Sequence, residues 1–440
     1  MCSVTDDIED FSKCTSKPES LADKRSLQFC KKCKEKSILL LQKKDAFCKS
    51  CFFEHCNHKF RSTIGKSKLI KNGEKVLLGC SGGRKSAALL SMTQQTLGSL
   101  SLKQITFKAG VLLINDAFLV PDIKDEQAEI LAIIDILKQS GIDILYSSLE
   151  MVLRINTQEE FYWSSENINS NTMESCPILR RKIMDSMSDL TISAKFDFIK
   201  HLRMLLMTEI ASHAGYSYLF VGDSATSLAG ELLCDIALGR GSQISPDTSF
   251  YDTRYKVPVC RPIREFLDKE IALFNHLKNT PYKVLPNLLT KTKSNGSIHR
   301  LTEAFITNLQ EDFPATIFTI FRTGGKLLEF RSTQETNTCL LCKSELDNVE
   351  PEACSALEAL SLSDRISQPR QSNLQSTGNT DKENYEGRSD FVLLCHGCSN
   401  SFKKLIAKEN FYHVISRQPV KRDKMKNEIK DFLLDDEEVS

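Results

Sequence analysis

The sequence predicts an α/β protein, a doubly wound parallel sheet with zinc modules near both ends of the chain. Three observations carry this reading. Short apolar runs alternate with helical patterns from residue 75 to residue 241, as a series of βαβ units requires. Eight of the sixteen cysteines form four C-x-x-C pairs, two before residue 52 and two after residue 338. Between them, "GCSGGRKS" (79–86) sets a glycine-rich turn between the first apolar run and the first helix, where such sheets hold phosphates.

Taken in order, residues 1–25 are polar and without periodicity, so they are expected to be disordered. Residues 26–62 form a basic, zinc-ribbon-like module. Its pairs Cys30/Cys33 and Cys48/Cys51 are separated by 14 residues. Two residues between cysteines let both sulfurs reach one tetrahedral ion from a single turn, and two such turns close the site. Four thiolates leave no coordination position open, so the ion is structural. His55, Cys56 and His58 lie near enough to stand in as ligands, or are simple neighbours on the knuckle. From Lys24 to Lys75 there are 15 basic and 4 acidic residues, a local +11 in a chain whose net charge is +1. Lys31, Lys32, Lys43 and Lys44 flank the knuckle cysteines directly. Scattered lysines usually do no more than solvate a surface. Concentrated on a small zinc-stabilised module, they predict contacts to a phosphate backbone, with RNA the expected partner.

The α/β domain is expected over 63–330. "KVLLGC" (75–80) reads as a buried strand and 86–97 as the helix after it. A strand at 110–116, an amphipathic helix at 125–141 closed by a glycine, and a strand at 143–150 follow. Helical pattern fills much of 177–214, and "YSYLFVGDS" (216–224) is a further strand that opens onto another helix. The second zinc module is placed at 331–400. Its pairs, Cys339/Cys342 and Cys395/Cys398, stand 52 residues apart. Between them lies a flexible insertion, 343–390, with 10 acidic and 5 basic residues, and a charged tail (401–440) ends the chain.

At 41% hydrophobic and 26% charged, the composition is that of an ordinary soluble globular protein. No apolar stretch approaches the ~18 residues of a membrane span, and the start lacks the basic-then-apolar pattern of a secretory signal. A cytoplasmic protein without membrane contacts is expected. In a reducing compartment clustered cysteines read as metal ligands rather than disulfides.

The glycine-rich turn fits one nucleotide motif better than the other. Against G-x-x-x-x-G-K-[ST], Arg84 stands where the final glycine must be, so the backbone cannot wrap a phosphate in that way. Against the S-G-G-x-D-S loop of adenylating enzymes, Ser81, Gly82, Gly83 and Ser86 match and become the candidate nucleotide contacts. Lys85 replaces the aspartate.

The N-terminal zinc module, the SGG loop and the C-terminal knuckles together resemble the tRNA 2-thiolation family over roughly residues 26–400, and within it the degenerate second subunit. The resemblance implies a PP-loop ATP pyrophosphatase-like fold and a part in thiolating the wobble uridine (position 34, mcm5s2U) of tRNAs. ATP adenylates the base, and a thiocarboxylated ubiquitin-like carrier supplies the sulfur. Catalytic members carry C-x-x-C-G ahead of a double arginine. "MESCPILRR" keeps Cys176 and Arg180–Arg181, but Met173 replaces the first cysteine. They also carry a cysteine beyond an Arg-Pro segment like Arg261–Pro262, and none occurs here between Arg261 and Cys339. Their G-H-N-A-D-D motif corresponds to "GDSATS" (222–227), which keeps only Gly222 and Ala225 and lacks both closing acids. A carboxylate can help hold magnesium, whereas Lys85 brings a positive charge.

The resemblance therefore implies a non-catalytic subunit of a heterodimer, with no catalytic residues of its own, structural zinc and no iron–sulfur cluster. It leaves ATP binding open. The partners implied are a catalytic paralogous subunit, tRNA and the sulfur carrier. Two rivals are an independent ATP-dependent tRNA-modifying enzyme and a zinc-dependent RNA-binding scaffold. Cys80, Cys176, Cys234 and Cys260 are expected to be small core residues or inert thiols.

Overall fold

The computed structural model describes residues 29–42, 44–98, 106–120, 123, 125–155, 157, 160–164, 176–293, 295–327, 338–346 and 394–402. The N-terminal stretch 1–25, residues 347–390 of the acidic insertion, residues 403–440 of the tail, Lys43 and Met173 lie outside them.

A short antiparallel hairpin, β1 (Leu39–Leu41) and β2 (Asp45–Phe47), leads into α1 (Lys49–Ser67). The helix starts at the second cysteine pair, with Cys48 at its N-cap, and runs past residue 62, where the sequence placed the end of the basic module. Parallel strands and helices then alternate: β3 (Lys75–Gly79), α2 (Arg84–Gly98), β4 (Lys108–Asn115), α3 (Glu126–Lys138) and β5 (Ile144–Ser148). Beyond β6 (Trp163–Ser164), the predicted helical region 177–214 is two helices, α4 (Pro177–Met187) and α5 (Ile192–His213). Thr191 explains the interruption: its side chain accepts a hydrogen bond from the Ala194 N–H and restarts the helix as an N-cap. β7 (Tyr218–Phe220), α6 (Ala225–Ala237), α7 (Ile244–Thr248), β8 (Tyr251–Asp252), β9 (Val259–Cys260) and α8 (Asp268–Lys278) complete the sheet and its cover. Helices α9 (Ile298–Asp312), α10 (Pro314–Gly324) and α11 (His396–Ser401) follow.

The sheet order is β6-β5-β4-β3-β7-β9-β8. The five central strands are parallel, and β6 and β8 pair antiparallel at the two edges. The chain runs outward from β3 in one direction through β4 and β5, then in the other through β7 and β9. A doubly wound sheet of this kind opens a crevice at the carboxyl ends of the strands beside the first one.

Side-chain alternation sends successive strand residues to opposite faces. Val76, Leu78, Val111, Leu113 and Phe220 join one core, together with Ile133 and Ile134 of α3 and Phe274 of α8. Leu77, Leu112, Leu219 and Val221 join the other, with Phe198, Leu202 and Leu206 of α5. The first core also takes in Cys30, Cys48 and Cys51 with Phe52, Phe60 and Ile64 of α1. The second takes in all four C-terminal cysteines and Phe402. The two cysteine modules are thus built into opposite faces of one sheet.

Their attachments are specific. On the first face Phe53 meets Phe274 edge-on at 5.5 Å between ring centroids, and Lys59 pairs with Glu270 at 2.8 Å. On the second, the buried Arg240 donates to Asp197 at 3.0 Å and to Ser401 of α11 at 3.2 Å. Its stem packs against Gly397, where an added Cβ would lie 2.5 Å from Arg240 Cγ. Arg254 donates to Ser344 at 2.9 Å, and Phe198 and Phe402 meet at 5.8 Å. Removing one partner of a buried ion pair leaves an uncompensated charge, at a cost of about 3 kcal/mol or more. Arg240→Met is accordingly expected to lower stability by about 3 kcal/mol, read as a fall in the denaturation midpoint. An unchanged midpoint would show that the C-terminal knuckle is held by other interactions.

Candidate metal centres and a nucleotide-type loop

The structure brings the four C-x-x-C pairs together as two groups, Cys30/Cys33/Cys48/Cys51 and Cys339/Cys342/Cys395/Cys398. In each, all ligand atoms lie within 4.8 Å of one another. Four sulfurs at ~2.3 Å from one tetrahedral ion stand about 3.8 Å apart. Cys33 and Cys48 Sγ are 3.4 Å apart, and Cys342 and Cys395 Sγ are 3.7 Å apart. Each group therefore fits a single zinc ion. The sulfurs of a cubane cluster sit on different irons and would stand further apart. Neither group includes His55, Cys56 or His58. Cys56 is buried in the core of α1, and His55 stacks on Phe47 at 5.2 Å.

Local backbone prepares both sites. Cys48 and Cys395 each sit at a helix N-cap, so Cys51 and Cys398 return one turn later on the same side. Gln243 Nε2 donates to Cys395 Sγ at 2.8 Å, tying the second site to the domain beneath it. This outer hydrogen bond had no signal in the sequence, because Gln243 lies 152 residues before its partner.

The SGG loop lies at the carboxyl end of β3, at the mouth of the switch-point crevice. Gly82 has φ +78°, and a Cβ there would lie 2.8–3.0 Å from Ile133, so both backbone and packing demand glycine. The Lys283 N–H donates to the Gly82 carbonyl at 2.9 Å, and Asn275 donates to the Arg84 carbonyl at 2.8 Å. Ser81 is exposed, while the buried Ser86 turns its hydroxyl back to donate to the Gly83 carbonyl at 2.9 Å. The turn is held rigidly by the protein itself.

The charges around the loop are already matched. Lys85 Nζ stands 3.8 Å from Asp268, whose other oxygen takes the Ser224 hydroxyl. Asp223 accepts from Arg261 Nε at 3.1 Å. The "GDSATS" segment, the Arg-Pro segment and the SGG loop therefore meet at one crevice. Arg180 of α4 is drawn away into a separate network: it donates to Glu126 at 2.6 and 2.8 Å and to Glu150 at 2.8 Å, and lies over the Phe118 ring. Cys176, at the α4 N-cap, is half-buried and belongs to no group of metal-ligating side chains among the described residues. Burial pushes the thiols of Cys80, Cys234 and Cys260 up to about 12, which keeps them protonated and unreactive. Of the lysines singled out in the sequence, the three that are described lie on the surface. Lys31 pairs with Asp45 at 2.8 Å, Lys32 approaches Glu54 at 3.8 Å, and Lys44 is exposed. Exposed pairs of this kind contribute at most ~1 kcal/mol and leave the lysines free to exchange partners.

Known proteins are similar to this chain. A family model described as cytoplasmic tRNA 2-thiolation protein 2 matches residues 297–400. Cytoplasmic tRNA 2-thiolation protein 2 of Danio rerio is 32% identical over 507 aligned positions that span 100% of both chains. The 2-A protein of Xenopus laevis is 33% identical, covering 93% of this chain and 95% of its own. The Homo sapiens protein is 31% identical, covering 78% and 76%. Among solved structures, the U34-tRNA thiolase NcsA from Methanococcus maripaludis, with its 4Fe-4S cluster, matches 76% of this chain and 93% of its own at TM-score 0.50. At 16% identity that likeness is one of fold.

Two zinc ions per chain are expected from the two sulfur groups. Elemental analysis giving less than one would contradict this. Cys30→Ser or Cys48→Ser is expected to lower soluble yield, because the metal's binding energy is also folding energy.

Proposed function

This chain belongs to the cytoplasmic tRNA 2-thiolation protein 2 family, and on that footing we propose that it is the non-catalytic subunit of a cytoplasmic heterodimer that 2-thiolates the wobble uridine of tRNA. The carrying observation is the crevice at the SGG loop, where Lys85 occupies the position of a metal-supporting carboxylate and pairs with Asp268. The sulfur for the reaction comes from a thiocarboxylated ubiquitin-like carrier and is handled by the catalytic paralogous subunit. This chain carries zinc as a structural ion at both cysteine groups.

Several features support the non-catalytic assignment. Cys176 has no second cysteine at 173 and no later one between Arg261 and Cys339, so the cysteine triad of the catalytic members is broken here. The carboxylates nearest the loop, Asp223 and Asp268, are tied to Arg261 and Lys85. The residues of the loop, Ser81, Gly82, Gly83 and Ser86, keep the turn that cradles a phosphate, and they are its contacts if ATP is held at all. The chain's contributions are the grip on tRNA, through the basic module at 26–62, and the interface with its partner, through the sheet domain at 63–330 and the second knuckle at 331–400. Lys31, Lys32, Lys43 and Lys44 are the proposed phosphate contacts.

Two outcomes test the reading. Cys176→Ala is expected to leave tRNA 2-thiouridine within about twofold of the wild-type level, as measured in cells carrying only the variant. Complete loss of the modification, with protein level and partner binding unchanged, would make this subunit chemically active. Replacing Lys31, Lys32, Lys43 and Lys44 together by alanine is expected to weaken tRNA binding by the complex and flatten its dependence on salt, by roughly 0.7–0.9 in log–log slope for each phosphate no longer neutralised. An unchanged slope would show that those lysines face only solvent.

A further inference from the structure

Among the described residues, one face of the ribbon that carries the first cysteine group is left uncovered. Phe29 bridges Lys36 in an antiparallel pairing, which sets both side chains on the same side of the ribbon. From Lys36 the two-residue alternation of an extended chain continues that side through Ile38 and Leu40. The opposite side turns inward, with Leu41 buried and Leu39 packed against the core. Phe29, Ile38 and Leu40 are 55%, 56% and 43% exposed. Three neighbouring apolar side chains on so small a module form a patch that needs a partner.

The surroundings say what kind. Lys31, Lys32, Lys34, Lys36 and Lys44 are all exposed around this ribbon. Of these five, and among the described residues, acidic partners stand beside Lys31 and Lys32 only. Lys34 is held with φ +62°, fixing the knuckle turn from which it projects. An occupant must therefore offer negative charge at the rim and a flat apolar surface at the centre. A single-stranded stretch of RNA offers both, since its phosphates meet lysines while an unstacked base lies on an aromatic ring.

We infer that this face of the N-terminal module holds an unpaired base of the bound tRNA on the Phe29 ring, flanked by Ile38 and Leu40, with Lys34 and Lys36 on the adjoining phosphates. The inference rests on the reading above that the module grips tRNA, and it names the part of the tRNA gripped: a loop or an end, not a duplex. Phe29 is a positioning residue in this scheme. It orients the RNA and takes no part in the chemistry.

The test uses the full-length chain and fluorescently labelled tRNA, with anisotropy measured over a range of salt and zinc content checked for every variant. Phe29→Ala is expected to weaken binding roughly tenfold, within the range for removal of one base–aromatic stack, without changing the salt slope. Lys34→Ala with Lys36→Ala is expected to flatten the slope. Phe29→Tyr should retain affinity, whereas Phe29→Leu, apolar but not aromatic, should not. In a Trp163→Phe background, Phe29→Trp supplies a direct probe, and its emission should be quenched by an unstructured oligoribonucleotide. Wild-type affinity in Phe29→Ala, alongside weakened lysine variants, would overturn the stacked base and leave the electrostatic grip standing. A wild-type chain that binds no tRNA at any salt would overturn the grip and this inference with it. Unchanged tRNA affinity without co-purification of the thiolation partner would assign the face to protein instead.

Discussion

Apolar side chains on both faces of the five central strands are the constraint from which the rest of the molecule follows. Leu77 and Val76, adjacent on β3, are each fully buried in different cores. A sheet of this kind has no face it can show to water, so it must be covered twice. The covers are not helices alone. One includes α1 and the first cysteine group, the other Phe402 and the second group, so each group of sulfurs is also part of a wall of the core. Disruption of either group would disturb a core wall rather than release an appendage.

The crevice at the carboxyl end of β3 is held together by the chain's own groups. Gly82 still meets the demands of a phosphate turn, and the carbonyls around it are satisfied by Lys283, Asn275 and Ser86. What differs is the charge. A carboxylate position is occupied by an ammonium, and the nearby acids are answered by arginine and lysine from the same chain. Such internal pairing ties the GDSATS segment, the Arg-Pro segment and the loop to one another.

Much of this was legible in the sequence, and the limits have physical causes. The alternating runs around "KVLLGC" and "GVLLIND" located β3 and β4 because buried parallel strands read as continuous apolar stretches. C-x-x-C spacing marked the four cysteine pairs because it reflects the geometry of one turn, but how they combine into two groups is set by the packing of the domain between them. The edge strands β6 and β8 were missed: each is two residues long, too short to show a period. α1 was missed because its sequence is dominated by polar residues, and only Cys51, Phe52, Cys56, Phe60 and Ile64 mark its inner face. The docking of the C-terminal knuckle through Asp197, Arg240 and Gln243 could not be read at all. Those residues become neighbours only once α5, α6 and α7 are packed, and a polar residue on a helix gives no sign of being buried.

The second sulfur group closes a long span of chain, since 52 residues separate Cys342 from Cys395. The entropy of closing a loop grows only with the logarithm of its length, at about 0.6 kcal/mol for each doubling. The length of the span between residues 346 and 394 therefore adds little to the entropy of bringing the two cysteine pairs together, and Ser344 and Leu346 at its start remain fixed to the domain.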